Sequence, residues 1–351
     1  MLNILRWILL PFSIVYGLIT FVRNKLYDYK LIQSSSFDLP IICIGNLSVG
    51  GTGKTPHIEY VANLLKNNLF KPAVLSRGYG RKSIGYVLAE PHIDAELIGD
   101  EPAQIFSNLI DTPVAVCENR VIGVTHLLYD APETNVVLLD DAFQHRSIKA
   151  GLNIIITTHN NPYYNDFIMP VGSLREFSMS KKRANAIIVS KCPDVLSEKE
   201  IKEILAKLKP LPHQKIFFSK LTYGNIHLLQ QPEKIISPDK DNFIYCFAGI
   251  ASTQKIKEYI QTLSKHYFVR KLPDHVTYSS TLIKSIINDF NLVEHQNKIL
   301  LTTQKDAVKL MHPKVLKLFD GYDIYVLPVK VSFFEPIEFE KFILQYVSAN
   351  N

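Results

Sequence analysis

Short apolar runs rich in β-branched residues alternate along this chain with stretches whose apolar positions recur at helical spacing. Ile41 to Ile44, Lys71 to Ser76, Pro113 to Cys117, Asn135 to Leu139, Leu152 to Thr158 and Ile187 to Lys191 read as buried strands. The segments between them read as helices: Ile58, Val61, Ala62 and Leu65 share one face, and residues 121–130 form another helical stretch. Strand and helix in alternation predict an α/β fold, with a mostly parallel sheet flanked by helices on both faces.

Past residue 212 the rhythm changes. Lys215 to Leu229 reads as two β segments around Tyr223-Gly224-Asn225, a ribbon suited to a hinge. A fresh strand-helix alternation then begins at Asn242, with helices over 253–264 and near 280–290, a strand before Gln304, a last strand over 323–329 and an end helix. The expected organisation is an N-terminal helix over 1–30, a main domain over 31–212, a two-stranded β linker over 213–240 and a second, smaller α/β domain over 241–351.

The most hydrophobic stretch is N-terminal. Leu2 to Val22 nears the roughly 20 residues that a membrane-spanning helix needs, yet Arg6, Pro11 and Gly17 interrupt it. No small-residue cleavage site follows, so the expectation is a retained, membrane-associated helix lying in the interface and bent at Pro11. Trp7, Tyr16, Arg23 and Lys25 would stand at headgroup level; the competing expectation is a helix folded onto the protein's own core. A net charge of +6 with no dense Lys/Arg block argues against nucleic acid as a partner and for an anionic membrane surface. Cys43, Cys117, Cys192 and Cys246 lie far apart without a C-x-x-C pair, which points to a reducing compartment and away from a structural zinc site.

Candidate chemistry begins directly after the first strand. The sequence SVGGTGKT supplies a glycine loop, Ser48, Val49, Gly50, Gly51, Thr52 and Gly53, followed by Lys54 and Thr55 at a helix start. Backbone N–H groups of such a loop point at phosphate oxygens, the lysine reaches the β- and γ-phosphates, and the threonine hydroxyl can ligate Mg²⁺. Ser48 stands where the pattern has its first glycine. The fold expected is therefore P-loop NTPase-like, with ATP and Mg²⁺ as the ligands implied.

Asn135 to Arg146, NVVLLDDAFQHR, is an apolar run ending in Asp140 and Asp141, the arrangement by which a buried strand delivers a carboxylate to a phosphate-bound metal. Gln144, His145 and Arg146 follow it. Arg77 and Arg81 lie in a glycine-hinged loop at another strand end, where open α/β sheets place ligands. Asp100 and Glu101 open a helix, where they serve either as caps or as a proton acceptor and a metal-associated carboxylate. Arg120 begins a helix against its dipole, which hints at an anionic partner. His275 follows a strand beside Asp274, and Thr302, Thr303, Lys305 and Asp306 form another polar strand end.

SVGGTGKTP, SRGYGR, GDEP, DDAFQHR, GSLRE and PDH, in that order over about residues 40 to 280, together resemble the tetraacyldisaccharide 4′-kinases of lipid A biosynthesis. The resemblance implies ATP- and Mg²⁺-dependent phosphorylation of the 4′-hydroxyl of a tetraacylated glucosamine disaccharide 1-phosphate, giving lipid IVA. It would act at the cytoplasmic face of a Gram-negative inner membrane, with no obligate protein partner evident. It also implies Lys54 and Thr55 as phosphate and metal residues, Asp100 as base, Glu101 as a metal-associated carboxylate, and Asp140 and Asp141 as the Walker-B-like pair. His275 would assist the base, Arg175 would grip an anion, and Arg77, Arg120, Gln144 and His145 are candidates on the substrate side. Phe177 stands where the family commonly has proline, and Val276 where it often has a second histidine. The rival expectation is a membrane-associated P-loop switch ATPase, whose extra lysine would fall on Val49.

Overall fold

The computed structural model describes residues 7–91, 94–250, 252–274 and 276–351; His275 and residues 1–6, where the N-terminal helix was expected to begin, lie outside them. Among the described residues, nine strands build the larger sheet: β1 (Ile41–Gly45), β2 (Pro72–Ser76), β3 (Val87–Leu88), β4 (Val114–Val116), β5 (Val136–Asp140), β6 (Leu152–Thr158), β7 (Ala186–Ser190), β8 (Lys215–Tyr223) and β15 (Val329–Phe333). Their order is β15-β8-β7-β6-β1-β5-β2-β4-β3, parallel except at the two edge strands. The helices are α1 (Leu10–Asp28), α2 (Lys54–Asn67), α3 (Ala95–Ile98), α4 (Asp100–Asn108), α5 (Arg120–Asp130), α6 (Glu198–Leu208), α7 (Gln254–Leu263), α8 (Ser280–Asn291), α9 (Gln304–Leu310), α10 (Pro313–Leu316) and α11 (Pro336–Ala349). The expected parallel α/β sheet is thus present.

Because successive residues of a strand face opposite ways, β1 feeds both cores. Ile42 and Ile44 join Ile58, Val61 and Leu65 of α2 on one face, whereas Ile41 and Cys43 join Leu139 of β5 on the other. A strand buried on both faces has to be apolar throughout, as IICIG is. β1 is central, so the loop leaving it opens beside the carboxyl end of β5, with Ile44 opposite Asp140 in register.

A smaller sheet, in order β10-β9-β14-β13-β11-β12, is built from β9 (Ile226–Leu228), β10 (Gln231–Ile236), β11 (Phe243–Ala248), β12 (His266–Lys271), β13 (Lys298–Thr303) and β14 (Ile324–Leu327). Two expectations are corrected here. The β segments around Tyr223-Gly224-Asn225 do not pair as a linker ribbon: β8 continues the larger sheet and β9 enters the smaller one. The chain end also does not complete the smaller layer, because β15 pairs antiparallel with β8 and α11 buries Phe339, Ile343 and Val347 in the larger core. The physical reason is the apolar stripe of α11, whose Phe339 stacks on Phe333 at 3.9 Å between ring centroids. At the crossing, the Gly224 N–H donates to the Pro328 carbonyl at 2.9 Å, so the two connections between the sheets run side by side.

Helix α1 packs in the opposite sense to a core helix. Its small and polar positions Ser13, Gly17 and Thr20 are buried, while Phe12, Ile14, Val15, Leu18, Ile19 and Val22 are exposed. The Ser13 hydroxyl donates to the Ile168 carbonyl at 2.7 Å and the Tyr16 hydroxyl to the Arg175 carbonyl at 2.9 Å. A Cβ at Gly17 would lie 2.9 Å from the Phe177 ring, so that glycine lets the helix approach. Phe177 is thereby part of the surface on which α1 rests. Pro11 sits in the first turn of α1, where it lacks only an unpaired N–H, and the break in the helix falls at Leu9. Among the described residues no helix is long and apolar enough to cross a membrane.

Candidate active site

The glycine loop is held largely by hydrogen bonds from its neighbours. Gly50 and Gly53 adopt φ of +104° and +90°, where a Cβ is disfavoured, and a Cβ at Gly50 or Gly51 would meet nothing within 4 Å. The loop is therefore open on the side where its backbone is exposed. Ser190 at the end of β7 donates to the Thr52 carbonyl at 2.8 Å, Lys191 to the Gly51 carbonyl at 2.6 Å, and the Asn46 amide to the Thr52 hydroxyl at 3.1 Å. Ser48 bridges to Leu174, and the Val49 N–H donates to the Ser173 carbonyl at 2.8 Å, which ties the loop to the GSLRE segment. His57 supports it from below: Nδ1 donates to the Gly53 carbonyl at 2.7 Å, leaving Nε2 to accept from the Ser219 hydroxyl at 2.9 Å. Burial depresses that imidazole to a pKa of about 4, so it stays neutral.

Lys54 and Thr55 open α2, 7% and 8% exposed. The Lys54 ammonium lies 3.7 Å from Asp141 Oδ2, and Arg175 Nη1 contacts the two oxygens of the same carboxylate at 2.9 and 2.8 Å. Asp141 reaches both cations because its backbone adopts φ +48° just past β5, a left-handed turn that aims the side chain back over the strand end. Burial pushes its carboxyl up, but Lys54 and Arg175 outweigh that and hold it below the usual range. Arg175, expected to grip a ligand anion, has its charge engaged by Asp141 here. Gln144 donates to the Asn46 carbonyl at 2.9 Å and stands 3.5 Å from Arg175, extending the same network.

Asp140 is the opposite case. It is 1% exposed, one oxygen accepts from the Ser76 hydroxyl at 2.8 Å, and the other, Oδ1, has no hydrogen-bond partner among the described residues. Burial first, then the charges of Glu101 and Asp141, push its carboxyl up to about 7 against the pull of Lys54. A buried carboxylate with an orphaned oxygen, crowded by like charge, suits a divalent cation. No group of three or more His, Cys, Asp or Glu among the described residues forms a cage by itself. Mg²⁺ does not ask for one, since it usually takes one or two carboxylates with phosphate oxygens and water. Thr55, Asp140 and Glu101 fit that role.

Of the expected acidic pair at the start of α4, Glu101 is near enough for its charge to bear on Asp140. Asp100 forms an ion pair with Lys309 of α9 at 2.8 Å across the gap between the two sheets. A cleft of about 1100 Å³ opens there, walled by Asp100, Lys309, Tyr79, Phe106, Leu229 and Tyr278 among others, but by none of the phosphate-loop residues. Arg77 is exposed at the end of β2, near enough for its charge to bear on His145, which burial, Arg120 and Arg77 together depress to about 4.

Arg120 does not stand where the substrate-side expectation needs it. It is 0% exposed, donates to the Cys117 carbonyl at 2.7 Å and the Asp140 carbonyl at 3.4 Å, and is lowered to about 10 by burial. Its partners are backbone carbonyls at the ends of β4 and β5 and the charges of Asp140 and Asp141, so it is a strut beneath the site. Residues that sequence reasoning passed over are Asn46, Ser190, Lys191 and Lys309. Asn46 follows β1, Ser190 ends β7 and Lys191 follows it, and a scan of all strand carboxyl ends would have found these three.

The profile of one family, described as Tetraacyldisaccharide-1-P 4′-kinase, matches residues 5–348. The chain is 43% identical over 351 residues to the tetraacyldisaccharide 4′-kinase of Flavobacterium johnsoniae, with 99% of each chain covered. It is 39% identical over 362 residues to that of Bacteroides thetaiotaomicron, covering 99% of this chain and 95% of the relative. It also superposes on the crystal structure of an "apo" form LpxK from Aquifex aeolicus in complex with ATP, with a TM-score of 0.76, 28% identity and coverage of 98% and 99%. A phosphate loop facing an acidic strand end, on a fold shared over nearly the whole chain, has one reading: the chain belongs to the tetraacyldisaccharide-1-P 4′-kinase family.

Proposed function

We propose that this protein transfers the γ-phosphoryl group of ATP to the 4′-hydroxyl of a tetraacylated glucosamine disaccharide 1-phosphate, yielding lipid IVA for lipid A biosynthesis. What supports the reading most is the convergence of Lys54, Asp141, Arg175 and Asp140 at one sheet end with the helix that carries Asp100 and Glu101. In this mechanism the loop N–H groups and Lys54 hold the β- and γ-phosphates and offset charge on the transferring group. Asp100 takes the hydroxyl proton as the new O–P bond forms and the bond to the β-phosphate bridging oxygen breaks, releasing ADP. Thr55, Asp140 and Glu101 would hold Mg²⁺, which would supply charge neutralisation for the transferring group. His275 assists Asp100, and Arg77, Gln144 and His145 face the acceptor.

The exposed apolar face of α1 supports docking on the inner-membrane surface, where a four-chain lipid acceptor resides. The test is incubation of purified protein with labelled ATP, Mg²⁺ and the acylated disaccharide 1-phosphate, with mass spectrometry locating the added phosphate. ATP hydrolysis indifferent to the acceptor would instead make the protein a membrane-associated switch ATPase.

A further inference from the structure

Helix α9 belongs to both cores: Ala307 and Leu310 are buried in the smaller one, and Val308 packs against the larger. It is anchored at its start by Asp306, fully buried, which accepts from the Gly249 N–H at 2.9 Å and the Thr303 hydroxyl at 2.6 Å. From this fixed helix two lysines one turn apart reach the loop that follows β12. Lys305 pairs with Asp274 at 2.6 Å, and Lys309 donates to the Val276 carbonyl at 3.0 Å. The same Lys309 ammonium pairs with Asp100 Oδ2 at 2.8 Å, in a site where the two side chains are only 14% and 23% exposed. One cation thus joins the carboxylate that opens α4 to the backbone of the smaller lobe. A pair this shielded is screened less than a surface bridge, and deleting the lysine removes a charge that holds the Asp100 carboxylate in place.

We propose that Lys309 is a positioning residue for phosphoryl transfer: it aims the Asp100 carboxylate by clamping it to the Val276 carbonyl across the inter-lobe cleft. The proposal rests on the kinase reading above, with Asp100 as base. A carboxylate swung away by about 1 Å costs on the order of 10²-fold in rate without touching nucleotide affinity. The experiment compares Lys309→Met, Lys309→Arg, Asp100→Ala and the Met/Ala double variant for kcat, ATP Kd and melting temperature. Expected is a kcat lowered about tenfold or more by Lys309→Met, with ATP Kd unchanged, partial recovery in Lys309→Arg, and no further loss when the Met change is added to Asp100→Ala. Equal loss in both backgrounds overturns the proposal, as does a loss confined to ATP affinity, which would make Lys309 a nucleotide contact. If the wild type transfers nothing to the acceptor, the kinase reading fails, and the clamp is judged on melting temperatures alone. Non-additive shifts for the pair then support it, and additive ones overturn it.

Discussion

Asp141 Oδ2 stands 3.7 Å from the Lys54 ammonium, a separation maintained by a left-handed residue at the end of β5 and a helix that starts at Lys54. The glycine-loop lysine is thereby tied to the end of β5. Replacing Lys54 with Met is expected to lower kcat by about 10²- to 10³-fold, the cost of losing one donor aimed at developing charge. Steady-state kinetics checks this, with circular dichroism to confirm an unchanged fold.

Asp100→Ala is expected to lose about 10²- to 10⁴-fold in kcat, the usual worth of a general base, while retaining ATP binding. Isothermal titration with ATP and Mg²⁺ is the check. A parallel loss of ATP affinity would reassign Asp100 to the metal.

Glu59, buried on α2, accepts from Gln104 at 3.2 Å and Asn108 at 2.7 Å on α4, so it ties the lysine-bearing helix to the one that carries Asp100. Burial pushes its carboxyl from 4.5 up to about 7, against the pull of Asn108 and Gln104. The folded state therefore holds this proton more tightly than the unfolded chain. Its contribution to stability is full below the unfolded pKa and is lost as pH rises through the folded value, on the order of 3 kcal/mol in all. Melting temperatures of wild type measured from about pH 4 to about pH 8 should fall relative to Glu59→Gln across that window. Parallel curves would remove Glu59 as the cause.

The two faces of α1 make opposite predictions. Leu18 and Ile19 are 59% and 62% exposed, and changing both to Ser should release the protein from anionic vesicles in a flotation assay with little change in melting temperature. Gly17→Leu forces a side chain into Phe177 and should destabilise by roughly 1–3 kcal/mol, read by denaturant titration.

The phosphate loop and the Asp140-Asp141 pair were readable because each is local: a strand, its terminal residues and the next helix carry the whole signal. Partners brought from afar were not. Arg120 reads as an oddly placed cation until β4 and β5 bring their carbonyl ends around it, and Lys309 reads as an ordinary helix lysine until α9 docks against α4. The return of β15 to β8 was hidden for the same reason, since edge pairing between Val329 and Tyr223 leaves no trace in either segment's own pattern. The inverted packing of α1 did leave a trace. Ser13, Gly17 and Thr20 fall on one stripe of an otherwise apolar helix, and small residues at that spacing mark the side that meets protein.

The late return of β15 and α11 to the larger sheet sets an order on biosynthesis. Every strand of the smaller sheet lies within residues 226–327, so that lobe has all its β segments before Val329 leaves the ribosome. The phosphate-loop lobe, although it begins first, lacks the edge strand over β8 and the helix that seals Phe217 and Phe333 until residues 329–349 emerge. During translation its half-finished face is exposed, and a nascent chain stalled between residues 328 and 349 should be the form most in need of a chaperone.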